Sequence, residues 1–392
     1  MKIFNFILAK ITTYKGSAKN WVLGVFLLVF SFSCQQNEDL TTKSYAISIE
    51  NARLIAANFS PNYPNTKYRV EQKNIKDEFI FKEKDQNYMY LFNFEEGGFL
   101  IMSADERNIP ILAYSEINYF DIRKVNAGFV AWAKKNKADL DDILAKKLAP
   151  HPSAEKEWKK LKKENNIISY VLPEDPNSCT YETRVVNPLL QTTWSQTCGY
   201  NDYCPQLGCN IGCGNGTAYT GCVATAIAQV AKYWNYPANF NWAAMPTNSG
   251  SPAVAELMAN AGYLVLAEYG CGSTSANSKN VPNVFSIWGY SSKGNYVSYS
   301  YNTLQSELFN YRRPAMLTAC AVENTFLGIP YSWSECHLWV CDGIQVSTFQ
   351  DCFSYAYLHM NWGWGGYSDG WFSYNNWGKY KYNIDMIINV NP

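Results

Sequence analysis

The chain of 392 residues is long enough for two or three ordinary domains, and its 47% of apolar residues excludes an extended, disordered protein. The formal net charge is zero, which excludes a bulk electrostatic attraction to nucleic acid or to a membrane surface. The two halves differ in character, because most Lys and Arg precede Thr180, whereas all but one of the 12 cysteines lie between Cys179 and Cys352.

The first residues resemble a bacterial lipoprotein signal peptide, which we place at 1–33. Lysines precede the apolar run Trp21–Ser33, and Cys34 follows it directly. This run is shorter than the roughly 20 residues that span a bilayer. The resemblance implies that Cys34 is acylated and becomes the mature N-terminus, so that the protein is exported and lipid-anchored to the outer membrane, the cell surface or the periplasm. A plain secretory signal and an uncleaved anchor are the alternatives.

The region after this signal divides into a tether at 34–47, a small α+β domain at 48–170 and a connector at 171–187. Ser48 is a suitable N-cap for an amphipathic helix. Four short alternating apolar runs then predict strands, and Phe129–Leu148 has the composition of a charged helix. The connector is polar and contains prolines, and proteolytic cutting concentrates in loops of this composition.

Residues 188–392 form the second predicted domain. Its most distinct helix begins at Cys222, directly after Gly221, and closes at Pro237. Later segments alternate polar and apolar residues and predict strands, namely PAMLTACAV, HLWVCDGIQV, SYAYLHMNWGW and GWFSYNN. A helix followed by antiparallel strands makes α+β the predicted fold class of this domain as well.

The cysteines of an exported protein tend to be oxidised to disulfides. Without Cys34 and one reactive thiol, ten cysteines remain, enough for as many as five disulfides whose pairing the sequence does not define. A possible zinc cluster consists of Cys198, Cys204, Cys209 and Cys213. Its irregular spacing and the lack of a nearby histidine favour a disulfide-stapled loop instead, and no metal or other cofactor is predicted.

Histidine is scarce, and the second domain offers only His337 and His359 for acid–base catalysis near neutral pH. Cys222 is the candidate nucleophile, because the unpaired N–H groups and partial positive charge of a helix N-terminus stabilise a thiolate. A thiolate paired with an imidazolium is the activated nucleophile of cysteine hydrolases. From helix position alone, a disulfide-bonded or buried structural cysteine remains an open interpretation.

Four sequence blocks resemble the streptopain family of bacterial cysteine peptidases, which have a papain-like fold. They are NPLLQTTWSQTCGYNDYCP, GCVATAIAQVAKYWNYP, HLWVCDGIQ and LHMNWGWGGYSDGWF, in that order along the chain. The resemblance implies that Cys222 is the nucleophile, with Gly221 shaping the site before it, and that His337 is the base. It also implies that the Gln196 side chain donates to the oxyanion hole.

The fourth block supplies the rest of the implied site. Asn361 would orient the imidazole, as a third group orients the base in other catalytic triads, and Trp362 and Trp364 would pack around that hydrogen bond. His359 lies on the same face of the predicted strand as Asn361 and could compete for the role of base. The family pattern favours His337.

The chain departs from the family pattern beside the base. Cys336 stands where the family usually has glycine, and Cys341 follows shortly after. Because these two cysteines flank His337, a bridge there could tighten or obstruct the site. The departure leaves every implied catalytic group in place and puts the shape of the substrate pocket in doubt.

The first domain contains GGFLIMSADERNIPILAYS after an amphipathic helix, and this combination resembles the family's inhibitory propeptide. The implied protein is a cysteine endopeptidase made as a lipid-anchored zymogen. Its partners would be polypeptide substrates, its own propeptide and the membrane that holds the anchor, with no nucleic acid. Two alternatives remain: a catalytically silent surface lipoprotein that acts as a binding or inhibitor protein on the same fold, and an acyl-transfer enzyme that uses the same triad.

Overall fold

The computed structural model describes residues 44–59, 72–164, 182–320, 325–326, 329–330, 336–348, 354–374 and 384–392. The predicted signal peptide with Cys34 and most of the predicted connector therefore lie outside the described residues. Tyr45–Pro392 form one compact unit. Among the residues described, no helix combines the length and the apolar composition that a membrane crossing needs.

The N-terminal part of the described chain is a four-stranded sheet with helices. Its elements are α1 (Ile49–Ala57), β1 (Ile75–Glu83), β2 (Gln86–Phe94), β3 (Phe99–Ser103), β4 (Ile111–Ser115), α2 (Ala127–Ala145) and α3 (Pro152–Glu164). The Ser48 hydroxyl accepts a hydrogen bond from the N–H of Asn51, which confirms the predicted N-cap of α1. α2 begins two residues earlier than predicted, because the side chain of Asn126 caps it by accepting from the N–H of Phe129.

The inner strands of this N-terminal sheet are buried on both faces, whereas its edge strand β1 is largely exposed. An alternating sequence pattern is typical of half-buried strands, but β2 and β3 are buried along nearly their whole length. One face packs against α1 and α3, which contribute Ile55 and Trp158 to an apolar cluster. The other face packs against α2, which contributes Phe129 and Trp132 to a second cluster. The inner strands therefore form a layer between α1 and α3 on one face and α2 on the other.

The second part of the chain contains four helices and further strands among its described residues. Its helices are α4 (Cys222–Trp234), α5 (Pro252–Leu264), α6 (Val281–Ile287) and α7 (Tyr301–Phe309). Its strands are β5 (Glu182–Val186), β6 (Gln206–Cys209), β7 (Gly216–Thr217), β8 (Ser292–Ser298), β9 (Ala315–Cys320), β10 (Thr325–Phe326), β11 (Ile329–Pro330), β12 (Cys336–Thr348), β13 (Ser354–Asn361), β14 (Gly370–Ser373) and β15 (Ile384–Asn391). The predicted helix start at Cys222 and the predicted strands that became β9, β12, β13 and β14 are confirmed.

α4 is the central helix of this part. Residues 223–231 are all buried, so that the helix is enclosed on every side over this stretch. α5 packs against one side and β12 against another, and Ile227, Met258 and Val340 belong to their shared apolar cluster. Because close packing on all sides prevents the helix from shifting, its first residue, Cys222, is held in a fixed position.

One antiparallel sheet runs through both parts of the chain. Its strand order is β1-β2-β3-β4-β14-β13-β12-β9-β15-β8, and β5 pairs with β12 beside this path, which makes 11 strands. The junction is the pair β4 and β14, where Tyr114 lies opposite Trp371 and Ala113 lies opposite Phe372. The N-terminal domain therefore continues the sheet of the second domain through backbone hydrogen bonds.

Disulfides staple the loops around this framework. Those among the described cysteines are Cys198–Cys213, Cys209–Cys271 and Cys320–Cys336. Three of the four cysteines in the possible zinc cluster are thus disulfide-bonded, which confirms the disulfide-stapled loop, and Cys204 is a buried thiol. Cys336 is bonded to Cys320, its register partner across β9 and β12. Cys341 is also a buried thiol, so that it does not bridge to Cys336.

Candidate active site

The first residue of α4 is Cys222, and a glycine shapes the backbone before it. Gly221 has φ 85° and ψ 151°, a conformation that residues with a Cβ rarely adopt. A Cβ at this position would also lie 2.8 Å from the carbonyl oxygen of Thr274. A larger residue would push the helix start away from the Thr274 loop, so Gly221 fixes the position of Cys222.

Cys222 faces a cleft of about 1090 Å³. Its side chain is partly exposed and retains its thiol. Gln196, His337 and Trp364 line the same cleft. The structure therefore brings the predicted nucleophile, base and oxyanion donor to one cavity from three separate segments of the chain.

His337 lies near the start of β12 and is only 7% exposed. Its Nε2 lies 3.0 Å from the backbone carbonyl oxygen of Trp362. The ring stacks on Trp339 with centroids 6.1 Å apart and meets Trp364 edge-on at 5.5 Å. Because a carbonyl oxygen can only accept, Nε2 carries the proton, and in the neutral ring Nδ1 holds the free lone pair.

The protonation of His337 follows from this burial. Burial lowers its pKa from 6.5 to about 4, and the Trp362 carbonyl only partly opposes the shift. The imidazole is therefore neutral near pH 7 in the full chain. A neutral, enclosed ring does not form the ion pair with a thiolate that activates a cysteine nucleophile.

The predicted contact between Asn361 and the imidazole is not formed in this structure. Gln229 Nε2 and the N–H of Gly363 donate to Asn361 Oδ1 at 3.0 and 3.1 Å, and Asn361 Nδ2 donates to the Thr192 carbonyl at 2.7 Å. Two donors occupy both lone pairs of Oδ1, which leaves no acceptor for the histidine. The backbone carbonyl of Trp362, the next residue, is the hydrogen-bond partner of His337 instead.

His359, the alternative base, lies on β13 and is engaged elsewhere. Its Nδ1 is 2.7 Å from Asp342 Oδ1. Burial alone would lower the pKa of His359, but the charge and the hydrogen bond of Asp342 outweigh it and raise the pKa. Nδ1 of His359 is engaged with Asp342, whereas His337 lines the cleft beside Cys222, so the geometry favours His337.

A turn after β13 holds Trp362 in place. Its backbone N–H donates to Asp369 Oδ1 at 2.7 Å, and its indole Nε1 donates to the Ser368 carbonyl at 2.9 Å. Burial raises the pKa of Asp369 to about 7, against the opposing effects of the Trp362 N–H and of His359. These bonds fix the carbonyl that His337 meets.

The N-terminal domain forms part of the cleft wall. Residues 123–127, which lead into α2, are part of the cleft lining beside Cys222 and His337. Asn118 Nδ2 donates to the Asp369 carbonyl at 3.0 Å, and the N–H of Ser368 donates to the Tyr119 carbonyl at 2.9 Å. The N-terminal domain therefore contacts both the cleft and the turn that supports the histidine.

Sequence reasoning missed several residues of this site. Gln229 in α4, Asp342 in β12 and Asp369 after β13 are each at most 2% exposed. A usable signal was present, because Gln229 is one of the few polar residues in an apolar helix and Asp342 is a lone charge in an apolar strand. Such residues need partners when buried, but the sequence does not say which.

A thiol at a helix start and an imidazole line one cleft together with residues of an attached N-terminal domain, an arrangement typical of a cysteine peptidase that retains its propeptide. The profile of the Peptidase C10 family matches residues 194–240 and 238–372. The profile of the Spi protease inhibitor matches residues 44–140. The chain belongs to the Peptidase C10, or streptopain, family and is a cysteine-type peptidase with the family's inhibitory propeptide.

Individual relatives agree with this assignment. Streptopain of Streptococcus pyogenes serotype M1 is 27% identical over 336 residues, which cover 72% of this chain and 73% of streptopain. The thiol protease/hemagglutinin PrtT of Porphyromonas gingivalis is 23% identical over 371 residues, or 81% of this chain and 39% of PrtT. The structure of a Prevotella intermedia prointerpain A fragment matches with a TM-score of 0.50 at 21% identity, covering 81% of this chain and 99% of the fragment. That match supports the predicted α+β, papain-like fold.

Proposed function

We propose that the chain is a cysteine endopeptidase, made as a lipid-anchored zymogen, that hydrolyses peptide bonds after its propeptide is removed. The observation that carries this proposal is one cleft lined by Cys222, His337 and Gln196, and also by residues 123–127 of the N-terminal domain. The proposed propeptide is 48–170, and the proposed peptidase domain is 188–392.

The first half of the reaction forms an acyl-enzyme. Nδ1 of His337 takes the thiol proton of Cys222, and the sulfur forms a bond to the substrate carbonyl carbon while the carbonyl electrons move to oxygen. The Cys222 N–H and the Gln196 side chain stabilise this oxyanion, and each such donor is worth about 10²–10³ in rate. His337 then gives the proton to the leaving amine as the C–N bond breaks.

The second half of the reaction restores the enzyme. Nδ1 of His337 takes a proton from water, whose oxygen attacks the thioester carbonyl and forms the second tetrahedral intermediate. The C–S bond breaks, the acid product leaves, and the proton returns to the sulfur of Cys222. Through both halves, the Trp362 carbonyl holds the proton on Nε2 and so leaves Nδ1 available.

Latency follows from the covered histidine. In the full chain, burial lowers the pKa of His337 to about 4, and residues 123–127 of the N-terminal domain line the same cleft as His337. Cutting within 171–187 and release of the N-terminal domain would admit water, and the pKa would rise towards its ordinary value. The imidazole could then share its charge with the thiolate.

The lipid anchor is the part of the proposal that rests on sequence alone. The pattern of 1–33 followed by Cys34 supports acylation and a position at the outer membrane, the cell surface or the periplasm. Cells that express the full chain in the presence of a clickable palmitate analogue test it. Incorporation is expected with Cys34 and is expected to vanish in Cys34→Ser; equal incorporation in both would reject the anchor.

The central experiment uses purified 34–392 in which Cys34 is replaced by serine, with and without Cys222→Ala, under mild reductant. We expect the first chain to lose about 15–20 kDa, the size of an ordinary domain. It should then degrade casein and react with an epoxide inhibitor of thiol peptidases at a single cysteine. The Cys222→Ala chain should do none of these.

The alternatives have distinct outcomes in the same experiment. A chain that stays inactive and unlabelled even after deliberate cutting within 171–187 would indicate the silent binding or inhibitor protein. Transfer of the acyl group to an added amine in preference to water would indicate an acyl-transfer enzyme. Trimming of pure Cys222→Ala at the normal rate would refute self-processing.

A further inference from the structure

A fully buried amide lies in the middle of the nucleophile helix. Gln229 is 0% exposed and lies seven residues, or about two helical turns, after Cys222. A glutamine in such a place is costly unless its polar atoms have partners. An apolar side chain of similar length would fill the space without that requirement, so the amide calls for an explanation.

The amide belongs to a closed ring of hydrogen bonds. Gln229 Oε1 accepts from the Thr192 hydroxyl at 3.0 Å and from the Trp194 N–H at 3.2 Å. Gln229 Nε2 donates to Asn361 Oδ1 at 3.0 Å. Asn361 Nδ2 closes the ring by donating to the Thr192 carbonyl at 2.7 Å. We call these hydrogen-bonded groups of Gln229, Thr192, Trp194 and Asn361 the amide clasp.

The clasp joins the three segments that carry the proposed chemistry. α4 begins with Cys222, and Trp194 stands two residues before Gln196. Asn361 directly precedes Trp362, whose carbonyl meets the base His337. Every pair of these segments is linked by at least one directional bond in a water-free environment, where such bonds are strong.

We infer that Gln229 is a positioning residue for the proposed peptidase reaction, because the amide clasp fixes the nucleophile helix, the oxyanion donor and the base relative to one another. The inference rests on the proposed function. Apolar packing between α4 and β12 is not directional, whereas a hydrogen bond fixes a distance and an angle. A misplacement of about 1 Å among catalytic groups can cost about 10²-fold in rate.

The cleanest test removes one bond of the clasp without changing its shape. Thr192→Val replaces the donated hydroxyl by a methyl group, and Thr192→Ser restores the hydroxyl in a smaller residue. Thr217→Val is the matched control, because Thr217 is also buried and its hydroxyl is hydrogen-bonded by Asn201 outside the clasp. Processed enzyme is titrated for active sites, so that partial misfolding does not count as lost activity.

We expect Thr192→Val to lower kcat about 3- to 10-fold, the effect of one buried hydrogen bond, with KM changed by less than about 2-fold. Thr192→Ser and Thr217→Val should retain the wild-type kcat. A kcat that is unchanged in Thr192→Val, or that falls equally in Thr217→Val, would overturn the inference. An inactive wild-type enzyme would instead overturn the proposed function.

Gln229→Glu supplies a second, independent readout. An ionised carboxylate still accepts from Thr192 and Trp194 but cannot donate to Asn361, whereas a protonated one can. The groups that are hydrogen-bonded to Gln229 are uncharged, so burial should raise the pKa of the new carboxyl group. The ratio of variant to wild-type kcat should therefore rise as the pH is lowered from 8 to 5. A ratio independent of pH would contradict the role of the donated bond.

Discussion

A substitution at Gly128 is the most direct test of how the N-terminal domain would keep the enzyme inactive. Gly128 lies where α2 meets Trp339 and Trp362, the two tryptophans beside the predicted base His337. A Cβ at this position would lie 2.6 Å from Cζ3 of Trp362 and 2.7 Å from Cζ3 of Trp339. Both rings are at most 2% exposed and pack on each other at 5.1 Å. They therefore have little room to move away.

We predict that Gly128→Ala opens the uncut proenzyme. Overpacking a buried site costs about 1–3 kcal/mol, and here the cost falls only on the closed state. The gain of about 1 kcal/mol from replacing a helical glycine by alanine applies whether the cleft is closed or open, as long as α2 persists. The opening equilibrium should therefore rise about 5- to 150-fold.

The assay is the rate at which an epoxide inhibitor labels Cys222 in the uncut chain on ice, before any cut product is visible. Ala138→Val, which adds carbon at a half-buried position of the same helix, is the control and should label at the wild-type rate. After processing, Gly128→Ala and wild-type enzyme should have equal kcat/KM, because residue 128 belongs to the part that is removed. Equal labelling of the uncut wild-type and Gly128→Ala chains would refute closure through this contact.

Two further predictions concern stability. The pKa of His337 is about 4 in the folded chain and 6.5 ordinarily, so the unfolded state binds more protons between these values and stability is lost as the pH falls through them. The measurement compares two inactive proteins in urea titrations, Cys222→Ala and Cys222→Ala with His337→Gln. The difference between their free energies of unfolding should fall by about 2–3 kcal/mol from pH 7.5 to 4.5. A difference that does not change with pH would contradict burial of a neutral ring. Replacing both Cys320 and Cys336 by serine removes a disulfide that joins residues with a sequence separation of 16. The free energy of unfolding should fall by about 3 kcal/mol in the same titration. An unchanged free energy would mean that the disulfide does not constrain the unfolded chain.

Much of the secondary structure was predictable, because its signals are local. Ser48 caps α1 through a bond to a residue three positions away, and the helix start at Cys222 follows from Gly221 and an apolar run. The nucleophile, the base and the oxyanion donor came from short blocks that resemble the family. Their presence in one cleft agrees with that resemblance, although their roles stay predictions until the experiments are done.

The partner of the base was not predictable in the same way. Local pattern placed Asn361 on the correct strand, but its carboxamide bonds to Thr192, 169 residues earlier, and to Gln229, 132 residues earlier. The Trp362 carbonyl then meets the imidazole, and a backbone carbonyl has no sequence signature because every residue carries one. Side-chain identity therefore could not reveal this contact.

The sequence by itself determined that Ser48 caps the first helix, that Cys222 starts the most distinct helix of the second domain, and which family the chain resembles, because capping, periodicity and motifs involve neighbouring residues. The tertiary structure alone decided that β4 pairs with β14, that Cys320 is bonded to Cys336, and that Gln229 is hydrogen-bonded to Thr192, Trp194 and Asn361. These contacts depend on which distant segments meet, and alternating apolar residues fit many partners equally well. Only the packed chain selects among those partners, because the native arrangement pairs the buried polar groups, whereas other arrangements would leave some of them without a hydrogen bond.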